Sequence, residues 1–352
     1  MTKILWNVLQ RIGEALDIHN LDRESGMIFI TEATSEVGQT IASQLIRTGY
    51  AQVRIGTSMT SSNNPTKHHH DKSGGTNIET VEFAWDREET YANALNGVKS
   101  VIITIPYIRH WYMHFLAFIM ACKKANVKHY VKLSFYLSHV PGTRHIPFVR
   151  HHSDCDEILM NMIIPDEEHV SQMSYTIIAA SHFMSNPIQC YSTNLSRSTD
   201  MTSSTTLWNA SMNRTTNYIS PHDVADAVTR VVLSPHDHYD RIYTILGPEM
   251  ISHDDLAALM TLYFTKHIKC IDCIDLTDYR HNFMESYAKT PQWKMKDCVV
   301  FEQIIRSGFE ENVIPIMPND FARICGREPE TFYHYLSYRS NCETIDMSRR
   351  VI

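Results

Sequence analysis

Met27-Ile28-Phe29-Ile30-Thr31 is an apolar, β-rich run, and Glu32-Ala33-Thr34-Ser35-Glu36-Val37-Gly38 follows it directly. A short run of this kind ending in polar residues predicts a strand and a turn. Beyond Gly38, Ile41, Leu45 and Ile46 mark a helix that ends near Gly49. The local reading is therefore strand, turn, helix.

The same alternation continues along the chain. Strands are expected at 52–55, 80–83, 101–105, 130–134 and 175–179, with helices over 88–95, 111–125 and 148–162. Alternating elements at this spacing imply a parallel sheet covered on both faces, reaching about residue 180. The polar tract 61–77 reads as a loop, and its His68, His69 and His70 are not preorganised for a metal. Further on, the pattern predicts a polar loop at 194–217, a helix over 223–233, a strand at 241–246, and helices at 254–264, 276–286 and 299–307. A lobe built there on the sheet's carboxyl edge would place ligands between the two parts.

Composition narrows the function classes. The 352 residues are 43% hydrophobic and 20% charged, with a net charge of -7, so the chain is globular and lacks the basic excess of a nucleic-acid binder. No apolar run approaches the roughly 20 residues that cross a bilayer. Eight scattered cysteines fit a reducing compartment. Cys270 and Cys273 form a C-x-x-C inside a strand-like stretch with no second pair, so no metal site is expected. Asn194, Asn209 and Asn213 head sequons, but no signal peptide precedes them. Ile4, Leu5, Val8, Leu9, Ile12 and Leu16 recur at helical spacing, which predicts an amphipathic helix in an N-terminal extension, packed on the protein's own core.

Thr31–Gly38 resembles the T-G-A-T-G-x-x-G turn of the NmrA-like branch of atypical short-chain dehydrogenases. Trp85-Asp86 resembles that family's G-D motif, 176–186 its T-I-L-R-P-x-x-F-M-E-N segment, and 218–225 its F-I-D-V-R-D-I-A. Leu246-Gly247-Pro248-Glu249 is similar to the T-G-P-E turn, and 325–332 to the closing T-G-R-x-P-x-T-F helix. The resemblance implies an α/β Rossmann-type doubly wound sheet with a smaller, mostly helical C-terminal lobe. Expected boundaries are an extension at 1–26, the Rossmann-type domain at 27–190, the lobe at 191–340 and a tail at 341–352.

The resemblance also implies an NAD(P) site made by Thr31, Thr34, Ser35, Glu36, Val37, Gly38, Ser58, Asp86 and Ile105. In the intact motif, glycines make the tight turn and let backbone amides reach the pyrophosphate at a helix N-terminus. Here Glu32 and Ser35 stand in two of those places, and only Gly38 remains. A carboxylate about 4 Å from a phosphate charge costs roughly 4 kcal/mol at an effective dielectric near 20. That is about a thousandfold in affinity.

Catalytic candidates are His152, Tyr107 and Ser134. His152 stands near the position where isoflavone-reductase relatives carry a lysine at a helix start, and a surface position is its plain alternative. Tyr107 and His110 fall where the family's nicotinamide-side loop lies, and Ser134 ends the fifth strand. No Tyr-x-x-x-Lys occurs. Asp223 and Asp226 open a helix, where negative charge is favourable. The expected function is a non-catalytic or weakly dinucleotide-binding regulator or assembly protein, with a protein partner and a small molecule admissible in the interlobe cleft. The alternative is an NAD(P)H-dependent reductase of a small carbonyl or quinone. An intracellular, cytoplasmic location is expected, with mitochondrial and nuclear ones left open.

Overall fold

The computed structural model describes residues 26–32, 35–50, 52–57, 66–70, 77–105, 110–162, 173–188, 205–209, 215–264, 267–272 and 318–337. The first half contains β1 (Met27–Ile30), α1 (Glu36–Arg47), β2 (Gln52–Thr57), β3 (Thr66–His70), β4 (Asn77–Glu82), α2 (Tyr91–Ala94), β5 (Val98–Ile103), α3 (Trp111–Lys124), β6 (His129–Phe135), α4 (Pro147–Met162) and β7 (Ser174–Ala180). The second contains β8 (His182–Phe183), β9 (Thr205–Asn209), β10 (Thr215–Ile219), α5 (Pro221–Leu233), β11 (Arg241–Ile245), β12 (Met250–Ser252), α6 (His253–Phe264), β13 (Ile268–Asp272) and α7 (Phe321–Cys325).

The main sheet has the order β11-β7-β6-β5-β1-β2-β4-β3. Seven strands are parallel, and β3 is antiparallel to β4 at one edge. Chain order reverses between β1 and β5, so a crevice opens outside their carboxyl ends, where doubly wound sheets bind ligands. Every residue of β6 is buried, as a strand covered on both faces requires.

Two apolar layers cover the sheet. One joins α1, α5 and α7 through Ile41, Leu45, Val228, Val231 and Phe321. The other lies under α2, α3 and α4, where Phe29, Phe83, Trp85, Tyr91, Phe115 and Phe118 meet. Most of these ring pairs meet edge to face, for example Phe83 and Phe118 at 5.4 Å, which adds about 1 kcal/mol per pair beyond area burial.

Three stretches differ from expectation. β3 falls in the tract read as a loop, and β9 and most of β10 fall in the polar stretch 194–217. Their partners are remote: β10 pairs with β8 and β12, and β9 with β13. The Thr-rich sequences of β9 and β10 carry little apolar alternation to announce them. The helix expected over 88–95 is a 3-10 turn at Glu88–Thr90 running into α2. Outside the described residues lie the expected N-terminal helix at 4–16, the helices at 276–286 and 299–307, the tail at 341–352, and Asn194, Asn213 and Cys273.

β11 pairs with β7, and α5 packs on α1, so 221–245 complete the first sheet and its helix layer. A third core, with Met184, Leu207, Tyr218, Met260, Phe332 and Tyr335, gathers the small sheets and α6. Gly247 turns against it: a Cβ there would stand 1.7 Å from the Tyr218 carbonyl oxygen. Asn217 locks this turn, accepting from the Gly247 N–H at 2.8 Å and donating to the Gly247 carbonyl at 3.0 Å.

Residues 318–337 return to the first sheet. The Asp320 N–H donates to the Thr244 carbonyl at 2.8 Å, and the Thr244 N–H donates to Asp320 Oδ2 at 2.9 Å. Arg327 pairs with Asp223 at 2.7 Å and with Asp226. Asp223, besides sitting at a helix start, accepts from the Glu330 N–H at 2.8 Å. Burial pushes its carboxyl up, and Arg327 opposes that shift.

Candidate functional site

The carboxyl end of β1 is sealed to β5 by Thr31. Its N–H donates to the Ile102 carbonyl at 3.1 Å, and its Oγ1 accepts from the Thr104 N–H at 3.1 Å. Thr31 Oγ1 also lies 3.2 Å from the Thr104 carbonyl. The hydroxyl expected to meet a cofactor is thus spent on main chain within the sheet. β2 approaches equally closely, since a Cβ on Gly56 would stand 2.9 Å from Phe83 and 3.1 Å from the Thr31 carbonyl.

Ser35 is the N-cap of α1. In extended geometry (φ -72, ψ 153), its Oγ accepts from the Gly38 N–H at 3.1 Å. The same hydroxyl donates to the Glu32 carbonyl at 3.1 Å. A serine cap satisfies one of the orphan amides that a bound phosphate would otherwise receive. Glu36, in the first helical turn, accepts from the Tyr335 hydroxyl at 2.9 Å. Val37 is 3% exposed and packs with Ile41 in the core. Gly38 is buried and gives its amide to Ser35.

Two carboxylates, Glu32 and Glu36, therefore flank a helix start whose capping position is filled from within the chain. A dinucleotide's diphosphate is bound best by bare backbone amides at a helix N-terminus away from negative charge. Asp86 is exposed in the turn after Trp85, and Ile105 is half-buried against the aromatic layer. Thr34, Ser58 and Tyr107 lie outside the described residues. Arg54 is turned from the crevice: it donates to the Ala94 and Asn96 carbonyls and pairs with Glu79 at 2.8 Å.

A second polar cluster occupies the carboxyl half of β6. Lys132 Nζ lies 2.5 Å from Asp156 Oδ1 of α4, and both side chains are fully buried. Ser134 and Ser138 donate to Asp156 Oδ2 at 2.6 and 3.0 Å, and His139 Nε2 stands 3.0 Å from that oxygen. Burial alone would raise the Asp156 carboxyl. Lys132 and His139 more than offset it and hold the group below its ordinary range. Ser134 is thus joined to a carboxylate that stays ionised, and His139 reaches the surface.

His152 packs its ring 4.9 Å from that of Phe148. Burial, then the Lys132 charge, push its pKa down to about 3, so it is neutral near pH 7, unlike a proton donor poised there. Nor is it the surface residue of the plain reading; His151 beside it is also partly buried, 4.7 Å from Trp111. Phe135 lies 5.1 Å from His182, whose pKa burial also lowers to about 3.

Sequence reasoning singled out Ser134 but missed Lys132, Asp156, Ser138 and His139. The signal was present, because Lys132 interrupts an otherwise apolar strand and a lysine buried there requires a carboxylate. The structure brings Ser134 and His152 to the same end of β6. Among the described residues, no group of three or more His, Cys, Asp or Glu could hold a metal ion. No described helix is long and apolar enough to cross a membrane.

The sequence model of the NmrA-like family matches residues 24–271. Agroclavine dehydrogenase of Claviceps fusiformis is 23% identical, the match covering 76% of this chain and 88% of that protein. The NADPH-dependent quinone oxidoreductase of Escherichia coli, in complex with NADPH, superposes with a TM-score of 0.66 at 16% identity, covering 89% of this chain and 99% of that one. The triphenylmethane reductase of Citrobacter sp., in complex with NADP(H), gives 0.65 at 13% identity, again covering 89% and 99%. At these identities the structural likeness shows the fold alone.

Proposed function

We propose, on the premise that this chain belongs to the NmrA-like family, that it is a regulatory or assembly protein which binds dinucleotide weakly or not at all and acts through protein contacts. The observation that carries this reading is the Ser35 hydroxyl seated on the Gly38 amide, with Glu32 three residues before that serine in sequence and Glu36 directly after it. Opening that cap and bringing a diphosphate beside two carboxylates adds unfavourable contributions. One carboxylate alone, about 4 Å from a phosphate charge, accounts for roughly 4 kcal/mol at an effective dielectric near 20.

The buried free thiols of Cys122, Cys155 and Cys325 support a reducing setting. A second reading, an NAD(P)H-dependent reductase of a small carbonyl or quinone, is favoured by Ser134 on its ionised Asp156 at the sheet's carboxyl end.

Titrating the protein into NADPH and NADH while following nicotinamide fluorescence separates the two. The proposal expects no saturable change at micromolar protein. Saturation in that range, together with oxidation of NADPH by a simple quinone, would establish the reductase.

A further inference from the structure

We propose that residues 328–337 form a pH-operated strap, clasped on Glu330 by His222 and His334, which holds the start of α1 as pH falls through the neutral range and loosens as pH rises. The inference stands whether or not a dinucleotide binds, because it concerns how the strap is held and is read on the protein alone.

The strap reaches α1 from β11. Beyond Asp320, which joins Thr244, Arg327 pairs with Asp223 and Asp226 of α5. The chain then enters a helical stretch at 332–337, whose Phe332, Tyr335 and Leu336 are buried in the third core. Main-chain amides fasten it: the Glu330 N–H donates to Asp223 Oδ2 at 2.8 Å, and the Phe332 N–H to Glu249 Oε1 at 3.0 Å. At its far end the Tyr335 hydroxyl donates to Glu36, in the first turn of α1, at 2.9 Å.

Glu330 is the side chain on which the clasp closes. Its Oε1 accepts from the Ser220 hydroxyl and lies 3.3 Å from His222 Nδ1, while its Oε2 lies 3.1 Å from His334 Nδ1. Ser220 is also the N-cap of α5 and accepts from the His222 N–H at 3.0 Å, which fixes the backbone that carries the ring. That ring lies 5.7 Å from the ring of Tyr335. Facing His222 are Glu36 from α1, Asp223 from α5 and Glu330 from the strap, with Arg327 engaged on Asp223 and Asp226. Carboxylates thus surround an imidazole whose positive charge comes and goes near neutral pH.

The direction of the response follows from these contacts. The bond to Glu330 raises the His222 pKa, burial opposes it, and the charges of Glu330, Glu36 and Asp223 add to the rise. Burial would raise the Glu330 carboxyl, but His222, Ser220 and His334 hold it below its ordinary range, so it stays ionised. A histidine whose folded pKa exceeds its unfolded one contributes stability that is fully present below about pH 6.5. That contribution is lost as pH rises through the folded value. The strap is then held by hydrogen bonds and packing alone, with Glu330, Glu36 and Asp223 left around a neutral ring.

Hydrogen exchange on the full chain at pH 6 and pH 8, with each rate corrected for its intrinsic pH dependence, tests this. Protection of the Glu330, Phe332 and Tyr335 amides should fall about threefold or more between the two, within the limit of about tenfold per pH unit that one titrating group allows. β5 and β6 should keep theirs. His222→Gln, which retains a donor without the charge, should remove most of the fall, and His334→Gln a smaller part of it. Glu330→Gln should remove it from the other side of the clasp, and it decides the matter if His222→Gln does not fold. Equal protection at the two pH values in the wild type would overturn the proposal. So would a fall that persists undiminished in His222→Gln, which would assign it to the raised carboxyl of Asp223.

Discussion

The carboxyl ends of β1 and β6 lie on either side of β5 in one sheet, and the chain uses polarity in opposite ways at the two. At β1, Ser35 and Glu36 are spent locally, on the Gly38 amide and the Tyr335 hydroxyl. At β6, Lys132 and Asp156 are buried against each other, and Asp156 also accepts from Ser134 and Ser138. A phosphate turn is a site made of backbone, so its function depends on side chains being absent, and two substitutions suffice to remake it. A buried charge pair is made of side chains, and its integrity depends on every member staying. The family's architecture therefore persists around a turn that lacks two of the motif's glycines.

Breaking the β6 cluster should have the largest effect. Asp156→Ala leaves the Lys132 charge buried and unpaired, and should lower stability by about 3–5 kcal/mol in urea unfolding. Replacing both partners, Lys132→Met with Asp156→Leu, should recover most of that loss. If Asp156→Ala unfolded at the same urea midpoint as the wild type, the pair would not matter as described.

Acid sharpens the contrast next. His152 and His182 beside Phe135 both have folded pKa values near 3, against about 6.5 when unfolded. Each depressed histidine contributes stability that is fully present above about pH 6.5 and is lost as pH falls toward 3, at about 1.4 kcal/mol per pH unit. Unfolding followed from pH 7 to pH 5 should show this slope, and His182→Phe should reduce it by one group. A slope unchanged by that substitution would count against the assignment.

The smallest effect belongs to the turn itself. Ser35→Ala removes the cap and should cost about 1 kcal/mol, read as a modest drop in the unfolding midpoint. A loss as large as that of Asp156→Ala would mean that Ser35 does more than cap α1.

The doubly wound sheet was legible because Met27–Ile30, Val98–Ile103 and Ser174–Ala180 are compact apolar runs separated by helical periodicity. β9 and β10 were not, since their stability comes from pairing with strands far away in sequence, and Thr215, Thr216 and Asn217 carry no apolar alternation. At the turn, the letters revealed missing glycines, but only the structure shows Ser35 reaching the Gly38 amide. The bond of Thr31 to the Thr104 main chain was not legible either, because a threonine at a strand end looks the same in sequence whichever way its hydroxyl turns. The return of Tyr335 to Glu36, across 299 positions, had no local signal at all.

On the proposed function, the side chains at 32 and 35 close the dinucleotide turn. Isothermal titration of NADPH and NADH into the wild type and into the double variant Glu32→Gly, Ser35→Gly tests it most directly. The account predicts no measurable heat of binding for the wild type at micromolar protein and saturable binding for the variant, tighter by about a thousandfold if the full electrostatic cost is removed. Micromolar binding by the wild type, with no gain in the variant, would contradict it.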